Sequence, residues 1–275
     1  MIQTRKTDQF SLVVADYEGT IPADPSRLND QVLSSRVGDL AAKLGLKLVD
    51  RVASVDTQFF IKLEKGSLSL HRVGDKPREK FSVNFENTRR LTSHDALIRA
   101  MGPDVVHVID ATGGWCVDAA SLAQYGYRVS AMEQNSIVVT MVQLAVVGMG
   151  WCDRFSLRCC DSIRVLTDLT TRACVVYLDP MYPVTSKTAK SKKALQWLQQ
   201  LVGPPRGESE LLFAALGAAS KRVVVKRPHH APPLTLNEKT KSMAKEKGST
   251  GGNLVGCVRT KLVRFDIYRP LIRLA

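Results

Sequence analysis

Apolar runs rich in β-branched residues alternate with segments of helical apolar spacing from about residue 104 onward. Short runs of this kind are typical of buried strands, and strands alternating with helices predict a parallel sheet covered on both faces. The predicted strands include "VVHVID" (105–110), "YRVSAME" (127–133), "ACVVYLD" (173–179) and "RVVVKRP" (222–228). We therefore predict an α/β fold of the Rossmann-like type.

The N-terminal part follows another pattern. Helical spacing over 30–46 predicts an amphipathic helix, and alternation on both sides of Lys65-Gly66 predicts a β-hairpin. The polar, turn-rich segment 74–93 predicts a link to the main domain. We expect a small α+β subdomain over 1–80, a linker and lead-in helix over 81–103, and the α/β domain over 104–275.

The C-terminal part contains a polar segment, "TLNEKTKSMAKEKGSTGGN" (235–253), with few apolar residues to bury. Such a composition predicts a mobile loop. The following "LVGCVRTKLVRFDIY" (254–268) predicts one or two closing strands.

Composition limits the class of protein. Hydrophobic residues make up 44% of the 275, yet no run of about 18 apolar residues exists, so we expect a soluble, cytoplasmic protein without a membrane partner. The six cysteines form no C-x-x-C pair, which predicts reduced thiols and no structural metal.

The net charge of +13 is confined to one part of the chain. Residues 1–179 carry 21 basic and 21 acidic residues, whereas residues 180–275 carry 18 and 5. A one-sided basic segment is typical of a surface that meets phosphates, although a solvated basic face would look the same. The predicted RNA contacts are Lys187, Lys190, Lys192, Lys193, Lys226 and Arg227, with Arg89 and Arg90 from elsewhere.

A glycine turn follows the predicted strand 105–110. Gly113-Gly114 would let backbone amides face a ligand, and Glu133, which closes the next strand, suits ribose hydroxyls. Cys116 and Val117 stand where a pyrophosphate loop needs glycine, so S-adenosylmethionine fits better than a dinucleotide. An ordinary βα turn with two convenient glycines is the alternative.

Three aspartates and a serine allow two interpretations. Asp110, Asp118 and Asp161 are each placed where a short acid caps backbone amides at a strand end or helix start. In a cofactor site, Asp161 and Ser162 would instead offer an acceptor and a donor to adenine.

The stretch "VVYLDPMYP" (175–183) ends a buried strand on Asp179-Pro180 and adds Tyr182. An exocyclic amine of a nucleobase becomes a better nucleophile when acceptors hold its N–H groups, and the Asp179 carboxylate and Pro180 carbonyl can do so. Tyr182 can stack on the base. The alternative is a helix start, with Asp179 as cap and Pro180 at the first helical position.

Several motifs together resemble the ribosomal RNA small subunit methyltransferase J family. They are "DATGGWCVDAASLAQYGYRVSAMEQN", "VVYLDPMYP", "LVGP", "KRVVVKRPHHAPPL" and "RFDIY", in order between about 104 and 270. The resemblance implies S-adenosylmethionine-dependent methylation of a guanine N2 in 16S rRNA, free or in the assembling small subunit. We also keep two alternatives: an RNA-binding protein with impaired cofactor binding, and an amino-methyltransferase of another nucleic acid.

The resemblance also implies site residues. The catalytic set is Asp179, Pro180 and Tyr182. The cofactor set is Asp110, Gly114, Val117, Asp118, Glu133, Gln134, Asp161, Ser162 and Asp179. The chain departs from the family pattern at Cys116, Val117 and Gln134, where a glycine and two arginines are usual. A β-carbon at 116 would be tolerated if that residue is already helical.

Overall fold

The protein is described from a computed structural model. It describes residues 10–14, 42, 47–49, 59–64, 67–76, 79–169, 172–181, 193–203, 207–246 and 249–273. The chain divides into two compact units, Met1–Asn84 and Phe85–Ala275. The predicted domain boundaries stay a prediction.

The N-terminal unit contains one four-stranded sheet in the order β2-β1-β3-β4. Its strands are β1 (Phe10–Val14), β2 (Lys47–Val49), β3 (Phe59–Glu64) and β4 (Ser67–Arg72). β3 and β4 pair antiparallel with Glu64 opposite Ser67, which confirms the predicted hairpin. Apart from residue 42, the predicted helix over 30–46 lies outside the described residues.

The larger unit alternates strands and helices along most of its length. Its helices are α1 (Ala96–Met101), α2 (Val117–Tyr125), α3 (Ser136–Val146), α4 (Ser162–Asp168), α5 (Lys193–Val202), α6 (Glu208–Ala218) and α7 (Glu238–Glu246). Its strands are β5 (His107–Asp110), β6 (Arg128–Glu133), β7 (Phe155–Cys159), β8 (Ala173–Leu178), β9 (Ala219–Pro228), β10 (Ser249–Gly251), β11 (Leu254–Arg259), β12 (Val263–Tyr268) and β13 (Leu271–Arg273). A 3-10 turn, Cys152–Arg154, precedes β7.

Seven strands form the main sheet in the order β11-β12-β9-β8-β5-β6-β7. β5 to β9 run parallel, β12 is antiparallel to β9, and β11 is antiparallel to β12. The predicted Rossmann-like α/β fold is confirmed. In the described part of the chain, no helix is long and apolar enough to cross a membrane.

The central strands are buried because helices cover both faces of a parallel sheet. Val175 to Leu178 of β8 and Val223 to Val225 of β9 are all fully buried. Strand β8 therefore holds the residues that follow it, Asp179 and Pro180, at a rigid edge of the sheet.

The polar segment 235–253 is not the loop that its composition predicts. It contains α7 and the short strand β10, which pairs with β13. Asn237 Oδ1 accepts from Thr240 N at 2.9 Å and caps α7. The helix buries only small side chains, Thr240 and Ala244, against the rest of the domain. Such a helix leaves no apolar periodicity in the sequence, which is why the prediction was wrong.

The "RFDIY" segment is strand β12, and two of its side chains hold the loop 228–234. The buried Arg264 binds Asp266 through Nε at 2.8 Å. Tyr268 OH donates to Leu234 O at 2.9 Å. The Arg264 guanidinium also donates to three loop carbonyls, at 3.0, 2.7 and 2.7 Å, those of Pro228, His229 and Ala231. The distinctive motif is thus a brace for the loop that follows β9.

Candidate active site

Four parallel strands end at one edge of the sheet, and each places a polar side chain there. Asp110 ends β5, Glu133 ends β6, Asp179 directly follows β8, and Lys226 lies near the end of β9. Ligands of open α/β sheets bind beyond the carboxyl ends of the strands. These side chains therefore mark the candidate site.

The glycine turn is tied to the acid at the end of β6. Gly113 N donates to Met132 O at 2.8 Å, and Gly114 N donates to Glu133 Oε2 at 3.0 Å. A β-carbon at Gly113 would lie 2.9 Å from Met132 O, closer than real contacts allow. One at Gly114, whose φ is +50°, would lie 3.0 Å from Leu198. The turn therefore needs glycine at 113 for its close approach to β6. It favours glycine at 114 because of the left-handed φ there and the nearby Leu198.

Cys116 is not helical, so the condition under which a β-carbon would be tolerated there is not met. It is the residue before α2 and has φ 55° and ψ 28°, a left-handed conformation that favours glycine. Its side chain is 1% exposed, and burial raises the pKa of the thiol well above its usual value. The cysteine therefore occupies a glycine-like position as an inert, buried group. Val117, the first residue of α2, is exposed.

Glu133 connects the turn to the start of α3. Its Oε1 accepts from Asn135 N at 2.8 Å, while Oε2 holds Gly114. Burial raises the pKa of Glu133, and these amide hydrogen bonds oppose the rise. Gln134 beside it is exposed. A buried carboxylate thus stands at the position predicted for ribose binding.

Asp161 has the geometry of a helix cap. Its Oδ1 accepts from Ile163 N at 2.9 Å and from Arg164 N at 3.4 Å at the start of α4. Ser162 is the first residue of that helix. The capping interpretation is confirmed, and the adenine contact of Asp161 and Ser162 stays a prediction.

Thr112 is a site residue that sequence reasoning missed. Asp179 N donates to Thr112 Oγ1 at 2.6 Å, and Thr112 N donates to Asp110 Oδ1 at 3.0 Å. Asp110 is buried, and burial raises the pKa of its carboxyl to about 7, against the opposing hydrogen bond from Thr112 N. The sequence did contain a signal for this role, because Thr112 lies only two residues after Asp110, the last residue of a predicted strand.

Lys226 joins two carboxylates. Its Nζ lies 2.7 Å from Asp118 Oδ2 and 2.9 Å from Asp179 Oδ2. Tyr177 OH donates to the same Asp118 oxygen at 2.6 Å. Burial by itself would lower the pKa of Lys226, but the carboxylates of Asp179 and Asp118 raise it above its usual value. Lys226 is therefore cationic, and in the described structure it faces the site's carboxylates.

Burial and neighbouring charges shift the pKa of Asp179 in opposite directions. Burial raises the pKa of its carboxyl, the Lys226 ammonium lowers it, and the Asp118 carboxylate raises it, with a net rise. The Asp179 side chain is still 41% exposed, so a ligand can reach it. Pro180 is buried. Tyr182 lies outside the described residues.

Lys226 was also predicted to contact RNA, and that role stays a prediction. The other predicted RNA contacts fall into three groups. Arg227 is buried, at 3% exposure, and binds Pro232 O and Glu208, so its guanidinium cannot reach a phosphate and that prediction is wrong. Arg89, which pairs with Asp95, and Arg90 are exposed. Lys187, Lys190 and Lys192, together with the side chain of Lys193, lie outside what is described.

The described residues contain no group of three or more His, Cys, Asp or Glu side chains arranged to hold a metal ion. The sheet order with its antiparallel β12, the glycine turn after β5 and the acid ending β6 define a class. These features are typical of S-adenosylmethionine-dependent methyltransferases.

Comparison with known proteins agrees. Residues 39–270 match the family described as "Putative SAM-dependent methyltransferase". The chain is 40% identical over 193 residues to Ribosomal RNA small subunit methyltransferase J of Erwinia tasmaniensis, covering 65% of this chain and 70% of the relative. It is also 40% identical over 189 residues to the Escherichia coli K12 protein of that name, covering 63% and 68%. The chain belongs to the ribosomal RNA small subunit methyltransferase J family.

A solved structure supports the fold. The SAM-dependent methyltransferase from Neisseria gonorrhoeae superposes with a TM-score of 0.65 at 24% identity, covering 94% of this chain and 96% of that one.

Proposed function

We propose that the protein methylates the exocyclic N2 of a guanine in 16S rRNA, with S-adenosylmethionine as methyl donor. The observation that carries the proposal is the position of Asp179-Pro180 at the end of β8, joined through Thr112 to the glycine turn. The relatives at 40% identity are named for small-subunit ribosomal RNA. The substrate is the free rRNA or the assembling small subunit, in the cytoplasm.

Asp179 and Pro180 have the main chemical roles. The Asp179 carboxylate and the Pro180 carbonyl accept the two N–H bonds of the guanine amine and favour its pyramidal, nucleophilic form. Proline has no N–H to compete for these acceptors. Tyr182 stacks on the base and orients the amine. The amine becomes acidic after it receives the methyl group, and its proton then leaves to Asp179 or water.

The residues present fit the cofactor. The glycine turn lies directly against the end of β6, and the buried carboxylate of Glu133 there suits ribose hydroxyls. When bound, S-adenosylmethionine supplies an electrophilic methyl group. We assign the ribose to Glu133 and Gln134, and the adenine to Asp161 and Ser162. The remaining contacts come from residues near the ends of β5 and β8, namely Asp110, Gly114, Val117, Asp118 and Asp179.

The RNA phosphates are assigned to two sets of basic residues. Arg89 and Arg90 are exposed and lie before α1. Three lysines lie in the chain between Asp179 and α5, and a fourth is the first residue of α5. These lysines are Lys187, Lys190, Lys192 and Lys193. Their place in the chain, directly after the catalytic motif, supports a role next to the reacting base.

The test is a mass map of modified nucleosides in 16S rRNA from a strain that lacks this gene. We expect one N2-methylguanosine to disappear and to return with the wild-type gene but not with Asp179→Ala. If 16S rRNA is unchanged and a methylated amine is lost from another nucleic acid of the same strain, the protein is an amino-methyltransferase of that nucleic acid. Calorimetry with S-adenosylmethionine separates the other alternative, because a protein that only binds RNA would give no heat of cofactor binding.

A further inference from the structure

Lys226 has partners that its sequence context did not predict. The lysine bridges Asp118 of α2 and Asp179 after β8, at 2.7 and 2.9 Å from one oxygen of each carboxylate. Asp118 is held in turn by the hydroxyl of Tyr177, which is fully buried on β8. Side chains from α2 and from the end of β8 thus converge on the ammonium group of a β9 lysine, which they hold in a fixed position.

We propose that Lys226 is a positioning residue for methyl transfer, which keeps Asp179 ionised and fixed as an acceptor for the substrate amine. The proposal rests on the proposed function, in which Asp179 accepts an N–H of guanine. Lys226 occupies Oδ2 of Asp179, so Oδ1 is the oxygen assigned to the amine.

The electrostatic reason is the crowding of acids. Without the ammonium, the carboxylates of Asp118 and Asp179 would repel each other, and one of them would take up a proton more readily. The buried Asp110 adds to this repulsion, and Arg227 on the same strand weakly opposes it. A protonated Asp179 has an O–H that donates, and it loses acceptor capacity at that oxygen. The cation therefore preserves the chemical form that the reaction needs.

Lys226 is not the base of the reaction. The two carboxylates raise the pKa of its ammonium, so the group has no lone pair near neutral pH. The group of Asp118, Asp179 and Lys226 carries a net charge of −1 when all three are ionised. Without the lysine charge the two carboxylates carry −1 if one of them is protonated and −2 if both are ionised. The group is then never less negative than before, so binding of the cationic cofactor is expected to hold or tighten while turnover falls.

The test compares Lys226→Met with Lys226→Arg. Lys221→Met is the matched control, because Lys221 lies at the other end of β9 and donates to the carbonyl of Asp104. Single-turnover methyl transfer to 16S rRNA, at saturating cofactor, is measured across pH. For Lys226→Met we expect a rate about ten- to a hundred-fold lower. We also expect the acid limb of the profile to lie roughly one to three pH units higher.

The other readouts make the result specific. Lys226→Arg keeps the charge and should restore the acid limb, and Lys221→Met should match wild type. In Lys226→Met, cofactor affinity measured by calorimetry should not weaken. RNA affinity and the salt slope of RNA binding should match those of wild type. A smaller salt slope with an unmoved pH profile would show that Lys226 contacts phosphate and would overturn the inference. A rate loss in both Lys226 variants without a shifted limb would also overturn it.

A substrate-free measurement separates this inference from the proposed function. The carboxyl carbon of Asp179, assigned by comparison with Asp179→Asn, is titrated by NMR in wild type and in Lys226→Met. We expect its pKa to rise when the lysine is replaced. An unchanged titration overturns the role of Lys226 even if methyl transfer to guanine is observed. A raised pKa supports the role even if 16S rRNA is not the substrate.

Discussion

The backbone amide of Asp179 donates to the hydroxyl of Thr112 over 2.6 Å, between residues 67 positions apart in the chain. Thr112 belongs to the glycine turn after β5, and its own amide is held by Asp110. The hydrogen bond therefore joins the residue assigned to the reacting amine with the turn assigned to the cofactor. A short rigid connection of this kind fixes the distance between two reactants, which is a large part of catalysis by positioning.

Asp179 is expected to act mainly on the chemical step. Asp179→Ala should lower the rate constant of single-turnover methyl transfer. The loss should correspond to about 3 kcal/mol of activation free energy, the scale of one lost preorganised electrostatic partner. Asp153→Ala is the control, since Asp153 is an exposed aspartate in the 3-10 turn before β7. A wild-type rate for Asp179→Ala would mean that the residue only caps the chain after β8.

Tyr182 should contribute through its ring. Tyr182→Phe should keep most of the turnover, whereas Tyr182→Ala should lose about 1 to 3 kcal/mol, the range for stacking on one base. The same single-turnover assay measures both variants. Equal losses in the two would assign the effect to the hydroxyl.

Glu133 should affect both the cofactor and the turn. Glu133→Ala should weaken S-adenosylmethionine binding by roughly 1 to 3 kcal/mol, the scale of an unmade buried hydrogen bond to a charged group. It should also destabilise the fold, because Gly114 N and Asn135 N lose their acceptor. Glu133→Gln keeps one side-chain oxygen and should retain more stability than Ala. Calorimetry and urea unfolding measure the two effects, and unchanged cofactor affinity would remove the ribose assignment.

Cys116 should tolerate glycine better than alanine. Both substitutions remove the sulfur, but alanine keeps a β-carbon in a left-handed conformation. Cys116→Gly should therefore be more stable than Cys116→Ala by about 1 kcal/mol in urea unfolding. Cofactor affinity should be unchanged or tighter in Cys116→Gly. Equal stability of the two variants would mean that the turn relaxes without cost.

Asp110 should make stability depend on pH. Its pKa rises from the ordinary 3.8 to about 7 on burial, so the folded chain binds the extra proton between these values. Its contribution to the free energy of unfolding therefore falls as pH rises from about 4 to about 7 and is level above that. Asp110→Asn removes this titration and should gain stability relative to wild type through that window. Urea unfolding across the pH range measures the difference, and parallel curves would contradict it.

The lysines after Asp179 should determine the salt dependence of RNA binding. Replacing Lys187, Lys190, Lys192 and Lys193 by glutamine should lower the log–log salt slope by about 0.9 per lost contact on duplex RNA, or about 0.7 on single strands. The control removes the same charge at exposed positions of α7 and the β11–β12 turn, namely Lys239, Lys241, Lys245 and Lys261. Equal slopes in the two variants would show that the basic segment is only a solvated face.

The sequence predicted the parallel strands well because buried strands concentrate β-branched residues. The run 175–178 is fully buried in the centre of the sheet, and Asp179 follows it as expected. The glycine turn and the acid at Glu133 were likewise visible from their spacing, and the structure joins them with one hydrogen bond. Local periodicity and spacing carry this information without any knowledge of packing.

The charged residues of β9 were harder to predict. Neighbouring side chains of a strand point to opposite faces of the sheet, so Lys226 and Arg227 have different surroundings. One meets the carboxylates of the site and the other is buried against Glu208. A count of basic residues cannot distinguish these environments. Thr112 was missed for a related reason, because its partner is distant in sequence.

The brace between Arg264 and the loop 228–234 has a consequence for synthesis of the chain. Its loop partners precede Arg264 by up to 36 residues, so they leave the ribosome first. Their carbonyls have no guanidinium to bind until Arg264 has been synthesised. Until β12 has emerged, the apolar strand β9 has one edge without a neighbouring strand. The unpaired backbone groups of that edge can pair with strands from other chains. The nascent protein therefore passes through a stage at which premature release or truncation favours aggregation, and which chaperones are suited to protect.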